Sequence, residues 1–214
     1  EQYLYKVYAS EDFYKEHQAV FEGMEVELVS DQVMKEISDT MTPQGVLALV
    51  RMLEYSLEDL LQQENPLLLV LENLQDPGNL GTILRTGEGA GINGIIMSRE
   101  TVDIYNPKVT RSTMGSIFRV PFVYVDDLFE VIKMMKDRNI TTYAAHLNGT
   151  DYTRESYTSG TAFLIGNEGN GLTDELTDNA QKKIKIPMCG RVESLNAAMA
   201  VSYTHLRAHE TRSN

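Results

Sequence analysis

The chain has 214 residues, of which 42% are hydrophobic and 23% charged, a composition typical of an ordered globular protein with one large core and a smaller one. The longest strongly apolar run, Leu67 to Leu71, is too short to cross a bilayer. One cysteine and four scattered histidines argue against an internal disulfide and a structural zinc site. We therefore expect a cytoplasmic protein with no membrane association and no metal. Since the chain opens at Glu1 rather than Met, we also expect that the natural start is missing.

Charge is distributed unevenly along the chain. Residues 1–76 contain 4 Lys or Arg and 16 Asp or Glu, which accounts for the whole net charge of −12. Residues 77–121 contain 5 basic and 3 acidic residues and form a mildly basic segment. A local group of Arg and Lys suffices for phosphate contacts, so the negative net charge does not argue against binding of nucleic acid. The negative net charge should, however, lower the affinity for nucleic acid and raise its sensitivity to salt.

The first 54 residues predict a small α/β unit, with strands at 3–10, 26–30 and 46–52 and helices at 11–20 and 32–37. Residues 55–65 are polar and charged, end at Pro66 and predict a linker. We therefore expect a domain at 1–54, a linker at 55–65, a second domain at 66–201 and a tail at 202–214.

From residue 66 onward, strand and helix patterns alternate. Strands are predicted at 67–71, 94–97, 120–125, 140–146, 161–165 and 183–187, and helices from about 79, at 107–114, 127–138 and 173–180, and from about 194. Such alternation predicts an α/β fold with a mainly parallel sheet and helices on both faces.

The segment from Asp76 to Arg85 follows a buried strand. Asn79 is a plausible N-cap, and the apolar residues after it form one helical stripe. Arg85 then projects away from that stripe, toward the crevice where ligands bind beyond the strand ends. The alternative interpretation is a solvated arginine on a helix surface.

Residues 163–172 show a strand, a glycine-rich loop and a helix start. Gly166, Gly169 and Gly171 let the backbone approach a ligand closely. Glu168 disfavours an anionic phosphate, and the glycine spacing matches neither a P-loop nor a dinucleotide fingerprint. The pattern favours a neutral or cationic ligand, with a tight turn that binds nothing as the alternative.

Two further segments carry polar groups at helix starts. Ser194 is predicted to cap a helix whose alanines allow close packing. Asn106 and Pro107 open another helix, on which Lys108 and Arg111 share a face that could hold a phosphate. An ordinary capped helix and an ordinary basic helix end are the alternatives.

Taken together, these segments resemble the signature blocks of the SpoU/TrmH family of RNA ribose 2′-O-methyltransferases, in the family's order. The blocks are NLGTILRTGEGAG, NPKVTRSTMG, LIGNEGNGL and IPMCGRVESLNAAMA. The resemblance extends over residues 66–201. The first 54 residues resemble the end of an L30e-like RNA substrate-binding domain whose opening strand and helix are missing.

The resemblance implies a deep C-terminal trefoil knot, S-adenosylmethionine as cofactor, RNA as substrate and a homodimer. By block matching, the catalytic positions are Asn79, Arg85, Glu168, Ser194 and Asn196. The cofactor-binding positions are Gly166, Asn167, Gly171, Ile186, Met188, Leu195 and Asn196. The proposed RNA phosphate-binding positions are Lys108 and Arg111.

Two departures from the family pattern stand out. Thr113 replaces a Ser but keeps the hydroxyl. After Val201 the chain reads SYTHLRAHETRSN, which is typical of sequencing-adaptor read-through, so we expect the last helix to be interrupted there and the homodimer to be affected.

The resemblance leaves several questions open. Ribosomal RNA is slightly favoured over tRNA as the substrate, and Arg85 is either a general base or a phosphate clamp. The alternative functions are a non-catalytic RNA-binding protein that keeps the fold and a nucleotide-dependent oxidoreductase.

Overall fold

Residues 3–188, 190 and 195–212 are described by the structure, a computed structural model. The chain divides into two units, Glu1–Glu54 and Tyr55–Asn214. The first unit contains β1 Leu4–Ser10, α1 Glu11–Glu16, β2 Val26–Val29, α2 Asp31–Ile37 and β3 Val46–Val50.

In the first unit, β1 is the central strand of a three-stranded sheet. It pairs in parallel with β2 and antiparallel with β3, and Val7, Ala9 and Phe21 form the buried core. The predicted helix over 11–20 is wrong beyond Glu16. A 3-10 turn at Gln18–Phe21 replaces its last part and turns the Phe21 ring into the core.

The second unit alternates strands and helices along its whole length. Its elements are α3 Leu57–Leu61, β4 Leu67–Leu71, α4 Pro77–Gly89, β5 Gly94–Ser98, α5 Pro107–Ser112, β6 Phe122–Val125, α6 Leu128–Asp137, β7 Thr141–Asp151, β8 Thr161–Ile165, α7 Asp174–Asn179, β9 Lys182–Lys185 and α8 Ala197–Arg212.

These strands form one six-stranded sheet in the order β6-β5-β4-β8-β7-β9. Every neighbouring pair is parallel, so the predicted parallel sheet is confirmed. The chain moves from β4 outward to β5 and β6, and later places β8 on the opposite side of β4. This reversal between β4 and β8 opens a crevice beyond the carboxyl ends of the two strands, where α/β sheets bind their ligands.

Helices cover both faces of the sheet, as predicted. Leu68, Val70 and Ile96 pack with apolar residues of α3, α6 and α7 in one core cluster. Because successive strand residues point to opposite faces, Leu67 and Leu69 face the other layer, in which α4 contacts α5 and α8. Both faces of β4 are therefore buried.

Three predicted boundaries are wrong. The expected linker at 55–65 contains the helix α3, which Ser56 caps and whose Leu60 and Leu61 are buried. Strand β7 extends to Asp151 because its pairing with β9 resumes after an irregularity. The expected interruption after Val201 is absent, since α8 continues to Arg212.

None of the helices in the described part of the chain is both long and apolar enough to cross a membrane.

Candidate active site

Three of the five predicted catalytic residues, Asn79, Glu168 and Asn196, come together beyond the carboxyl ends of β4 and β8. Asn79 lies in the first turn of α4, Glu168 lies in the loop after β8, and Asn196 directly precedes α8. Along the chain, Asn79 is 89 positions from Glu168 and 117 positions from Asn196. Their meeting place is the crevice that the sheet topology predicts.

A chain of side-chain hydrogen bonds connects these three residues. The Asn196 Nδ2 amide donates to Asn79 Oδ1 at 2.8 Å, and Asn79 Nδ2 donates to Glu168 Oε1 at 3.0 Å. Both ends of the Asn79 amide are therefore engaged, which fixes the orientation of its donor and its acceptor.

The Glu168 carboxylate also accepts two backbone hydrogen bonds from the segment after β4. The Asp76 amide donates to Oε1 at 3.0 Å and the Gln75 amide donates to Oε2 at 3.1 Å. Burial alone would raise the pKa of Glu168, but the hydrogen bonds from Asn79 and from these amides outweigh burial and lower it. Glu168 is therefore an ionised carboxylate that orders the start of α4.

The two predicted helix caps in this region are corrected by the structure. Asp76, rather than Asn79, caps α4, because its carboxylate accepts from the Asn79 amide at 2.8 Å. Asn196 caps α8 by accepting from the Ala198 amide at 2.9 Å. Ser194, which the sequence predicts as a cap and a catalytic residue, lies outside the described residues.

A cavity of about 480 Å³ opens beside the carboxyl end of β8. Its lining combines the backbone of the loop after β8 with apolar side chains from the segment after β9 and from the start of α8. Six of the seven predicted cofactor-binding residues line it, namely Gly166, Asn167, Gly171, Ile186, Met188 and Leu195.

The loop that lines this cavity folds back on itself. Asn167 and Gly171 exchange two backbone hydrogen bonds of 3.1 and 2.9 Å. A Cβ on Gly166 would lie 2.0 Å from the carbonyl carbon of Gly171 and 2.1 Å from the Leu172 nitrogen. Only glycine fits at position 166, because any other residue would push the loop away from the strand end.

Arg85 lies on α4, two turns after the start of that helix, and its side chain is exposed. It forms no hydrogen bond or ion pair with any of residues 3–188, 190 and 195–212, while its helix neighbours Leu84 and Ile83 are fully buried. The outward orientation predicted from the helical pattern is confirmed. Among the described residues, nothing occupies the guanidinium, so it can bind a ligand.

The basic pair Lys108 and Arg111 lies on α5, which Asn106 caps with Pro107 as its first residue, as predicted. Both side chains are exposed. Thr113 is fully buried, and its hydroxyl donates to the Thr110 carbonyl at 2.8 Å. This hydroxyl therefore stabilises the end of α5 rather than facing solvent.

Sequence reasoning missed one further pair at the edge of this site. The buried Glu72 carboxylate accepts from the backbone amide and the hydroxyl of Thr173, each at 2.8 Å. Glu72 is the residue after a continuous apolar strand, and Thr173 is 101 positions away. No local pattern connects two such residues, so only the fold could reveal the contact.

No group of three or more metal-ligating side chains is found among the residues that the structure describes.

Comparison with known proteins identifies relatives of both units. The SpoU rRNA Methylase family model matches residues 66–204, and the MRM3-like substrate binding domain matches residues 2–48. The chain is 32% identical over 194 residues to the 23S rRNA (guanosine(2553)-2′-O)-methyltransferase RlmP of Bacillus subtilis (strain 168). That similarity covers 86% of this chain and 73% of the relative.

Two solved structures are also similar. The AdoMet-bound rRNA methyltransferase from Sinorhizobium meliloti aligns with a TM-score of 0.84 and 32% identity, over 97% of this chain and 80% of that one. The SpoU methyltransferase AviRb from Streptomyces viridochromogenes, in complex with the cofactor AdoMet, aligns with a TM-score of 0.87 and 26% identity, over 99% and 84% of the two chains. Since one family model covers well over half of the sequence and the folds agree, the protein belongs to the SpoU rRNA methylase family.

Proposed function

We propose that this protein transfers a methyl group from S-adenosylmethionine to a ribose 2′-hydroxyl of ribosomal RNA. The observation that carries the proposal is the hydrogen-bonded chain of Asn196, Asn79 and Glu168 beside a cavity lined by the predicted cofactor-binding residues. The relatives named above act on rRNA or bind AdoMet, which supports the same activity here.

The cavity fits the proposed cofactor in size and chemistry. Its volume of about 480 Å³ lies in the range of small-molecule sites. Apolar walls from Ile186, Met188 and Leu195 suit an aromatic base, and they disfavour the charged sulfonium relative to a transition state in which that charge disperses. The turn held close by Gly166 presents backbone amides and carbonyls to a ligand. The carboxylate of Glu168 on the same loop favours a neutral or cationic ligand over a phosphate.

S-adenosylmethionine supplies an electrophilic methyl group on a sulfonium sulfur. Alignment with the accepting oxygen should account for a large share of the rate, so the residues that bind the donor and the ribose act mainly by positioning. Gly166, Asn167, Gly171, Ile186, Met188 and Leu195 would hold the donor, while Asn79 and Asn196 present amide groups at its edge.

Glu168 is a poor candidate for the base that removes the hydroxyl proton. Its oxygens already accept three hydrogen bonds, and its pKa is lowered, so it has little tendency to take up a proton. Its role is to hold Asn79 and the start of α4 in place. Ser194 remains a proposed catalytic residue by family resemblance.

Arg85 is proposed as the group that binds the nucleotide's phosphate and so points the 2′-oxygen at the donor. A guanidinium remains protonated in proteins and forms a planar fork that matches a phosphate. Lys108 and Arg111 are proposed to bind further phosphates on the exposed face of α5. The unit at residues 1–54 is proposed as part of the RNA substrate-binding domain.

We also propose the knot, the homodimer, the cytoplasmic location and the domain boundaries that the resemblance implies. Residues 186, 188 and 195 line the same cavity as the loop at 166–172, which suits the implied trefoil knot. A homodimer and a cytoplasmic location follow from the resemblance. The boundaries at 1–54, 66–201 and 202–214 stay part of the proposal, whereas the segment at 55–65 contains α3 and belongs to the second unit.

We also propose that the tail at 202–214 is non-native, because its sequence is typical of sequencing-adaptor read-through.

The test uses tritiated S-adenosylmethionine and ribosomal RNA from cells that lack this gene. Tritium should enter the RNA, and ribose mapping should locate one 2′-O-methyl group. A matched RNA with 2′-deoxyribose at the mapped nucleotide should accept no label, because it lacks the accepting oxygen. Labelling of the deoxy substrate would exclude ribose as the acceptor.

A further inference from the structure

Glu72 lies directly after β4 and is 91% buried, with 9% of its surface exposed. Its backbone amide donates to the Ile165 carbonyl at 2.9 Å, which joins it to the end of β8. Its two carboxylate oxygens accept from two donors of one residue. Oε2 accepts from the Thr173 amide and Oε1 from the Thr173 hydroxyl, both at 2.8 Å. Charge-assisted bonds of this length are among the stronger hydrogen bonds in proteins.

Thr173 has a second role, which connects Glu72 to the helix α7. Its Oγ1 accepts from the Leu176 amide at 3.3 Å and so caps α7. Because the hydroxyl proton is donated to Glu72, an oxygen lone pair is left for Leu176. Thr173 is therefore fixed at once to the end of β4 and to the first turn of α7.

The loop at 166–172 is held at both ends by residues that follow β4. At its start, Asn167 Nδ2 donates to the Asn73 carbonyl at 2.8 Å. At its end, Thr173 is bound by Glu72. Between these points the loop lines the 480 Å³ cavity with Gly166, Asn167, Glu168, Gly169, Asn170, Gly171 and Leu172. The loop lies outside the main sheet and the helices, so these two anchors and the bonds that Glu168 accepts hold it in place.

We propose that the Glu72–Thr173 pair is a positioning device for the cofactor cavity, fixing the loop at 166–172 in its binding conformation before the ligand arrives. This inference rests on the proposed function, in which that cavity holds S-adenosylmethionine. Its physical basis is preorganisation. A loop that is ordered during folding does not have to lose conformational entropy on binding, and affinity rises accordingly.

Thr173→Val tests the pair with a side chain of nearly the same shape. Valine removes the hydroxyl, leaves one buried Glu72 oxygen without its donor and leaves the backbone amide of residue 173 as the only bond from Glu72 to the loop end. The dissociation constant of S-adenosylhomocysteine, measured by titration calorimetry on the full chain, should rise about tenfold or more. Thr173→Ser keeps the hydroxyl and should stay within about twofold of the unsubstituted protein.

Glu72→Gln separates the loop anchor from the helix cap. It keeps the volume and leaves Thr173 free to cap α7, but it replaces one acceptor oxygen by an NH2 donor. We expect a rise of about threefold to tenfold in the same dissociation constant. This variant also provides a test if Thr173→Val fails to fold.

Asp127→Ala is the matched control for the loss of a cap. Asp127 caps α6 with bonds of 2.8 and 3.2 Å to the Phe129 and Glu130 amides, and none of these residues lines the cavity. Its loss should lower the free energy of unfolding as Thr173→Val does. The affinity for S-adenosylhomocysteine should nevertheless be unchanged.

Hydrogen exchange of the loop amides reports the opening of the loop itself, separately from the stability of the whole protein. In Thr173→Val and Glu72→Gln, the amides at 166–172 should exchange faster in the absence of ligand and regain protection when S-adenosylhomocysteine is added. In Asp127→Ala, their exchange should match the unsubstituted protein.

The outcomes are distinguishable. If the unsubstituted protein binds no S-adenosylhomocysteine, the proposed function itself fails. If it binds, but both variants bind equally well or the control weakens binding as much as they do, the positioning role is overturned.

Discussion

Asn79 is the central member of the hydrogen-bonded chain, since it receives one bond from Asn196 and gives one to Glu168. Replacing Asn79 by Ala removes both bonds. We expect the single-turnover rate of methyl transfer to fall at least about tenfold, because one lost bond involves a carboxylate and the other an amide. The affinity for S-adenosylhomocysteine should change little. Asn179→Ala, on an exposed helix end, is the control and should keep the full rate; equal rates for both variants would contradict the role.

Arg85→Lys keeps the positive charge but removes the planar fork. We expect a loss of at least about tenfold in kcat/KM for RNA, because one ammonium replaces a bidentate contact. The pH profile of the unsubstituted enzyme then separates the two roles. A phosphate clamp predicts a rate that is flat near neutral pH, whereas a general base predicts a rate that rises with pH.

His205 is fully buried on α8 and packs against the Phe163 ring at a tilt of 56°, with ring centroids 4.7 Å apart. Burial lowers its pKa to about 4, and the Val201 and Leu68 carbonyls do not offset this effect. The unfolded chain, with an ordinary histidine pKa of about 6.5, binds a proton first as the pH falls. Stability is therefore full above pH 6.5 and decreases toward pH 4.

Between pH 7.5 and 5.5, this one group should cost about 1.4 kcal/mol of the free energy of unfolding. Urea titrations at the two pH values measure the change. His205→Leu removes the titrating group, so its unfolding free energy should vary less over the same interval. An equal pH dependence in this variant would rule out His205 as the source. Glu58, Asp151 and Asp178 have lowered pKa values, so these carboxyl groups stay ionised over this interval and do not contribute to the change.

Helices α4 and α5 approach each other closely at Gly81. A Cβ there would lie 1.7 Å from Ser112 Oγ and 2.9 Å from the Val109 carbonyl oxygen, so Gly81→Ala forces the helices apart. We expect a loss of about 1–3 kcal/mol in the free energy of unfolding. Gly89→Ala, on the same helix with no atom within 4 Å of the added Cβ, is the control. This substitution should be neutral or should stabilise the protein by up to about 1 kcal/mol. If Gly81→Ala were as stable as Gly89→Ala, the contact between α4 and α5 would be looser than described.

The elements that sequence patterns predict well are those buried on both faces. Leu67–Leu71 and Thr161–Ile165 are continuous apolar runs bounded by turn residues, and their limits are those of β4 and β8. Helix α3 was missed because its leucines stand among charged residues that resemble a linker. Strand β7 was cut short because Asn148 and Gly149 interrupt the pattern, although the backbone of Gly149 packs closely on that of Ile184.

The chain as a whole consists of two units that the contacts separate at Glu54 and Tyr55. A chain of residues 55–214 contains the entire six-stranded sheet and the cavity. We expect it to fold and to bind S-adenosylhomocysteine with unchanged affinity, because every described residue of the cavity lies in this unit. Its affinity for RNA should fall, since the proposed substrate-binding domain is removed; full RNA affinity in a filter-binding assay would contradict that assignment.

Sequence patterns and the family resemblance select candidate site residues, but the contacts between those residues could not be predicted. Glycine loops, caps and a projecting arginine are local signals that follow helix and strand geometry. The contacts of Asn79 with Glu168 and Asn196 depend on the order of strands in the sheet, and so does the contact of Glu72 with Thr173. Sequence spacing carries no information on that order.

The separation of Asn79 and Asn196 along the chain delays the assembly of the proposed site during synthesis. The two residues are 117 positions apart, and at about 5–20 residues per second their synthesis is separated by about 6 to 23 seconds. Until Asn196 is added, its hydrogen bond to Asn79 cannot form. From the proposed roles of these two residues, we expect an unfinished chain that is still attached to the ribosome not to methylate ribosomal RNA.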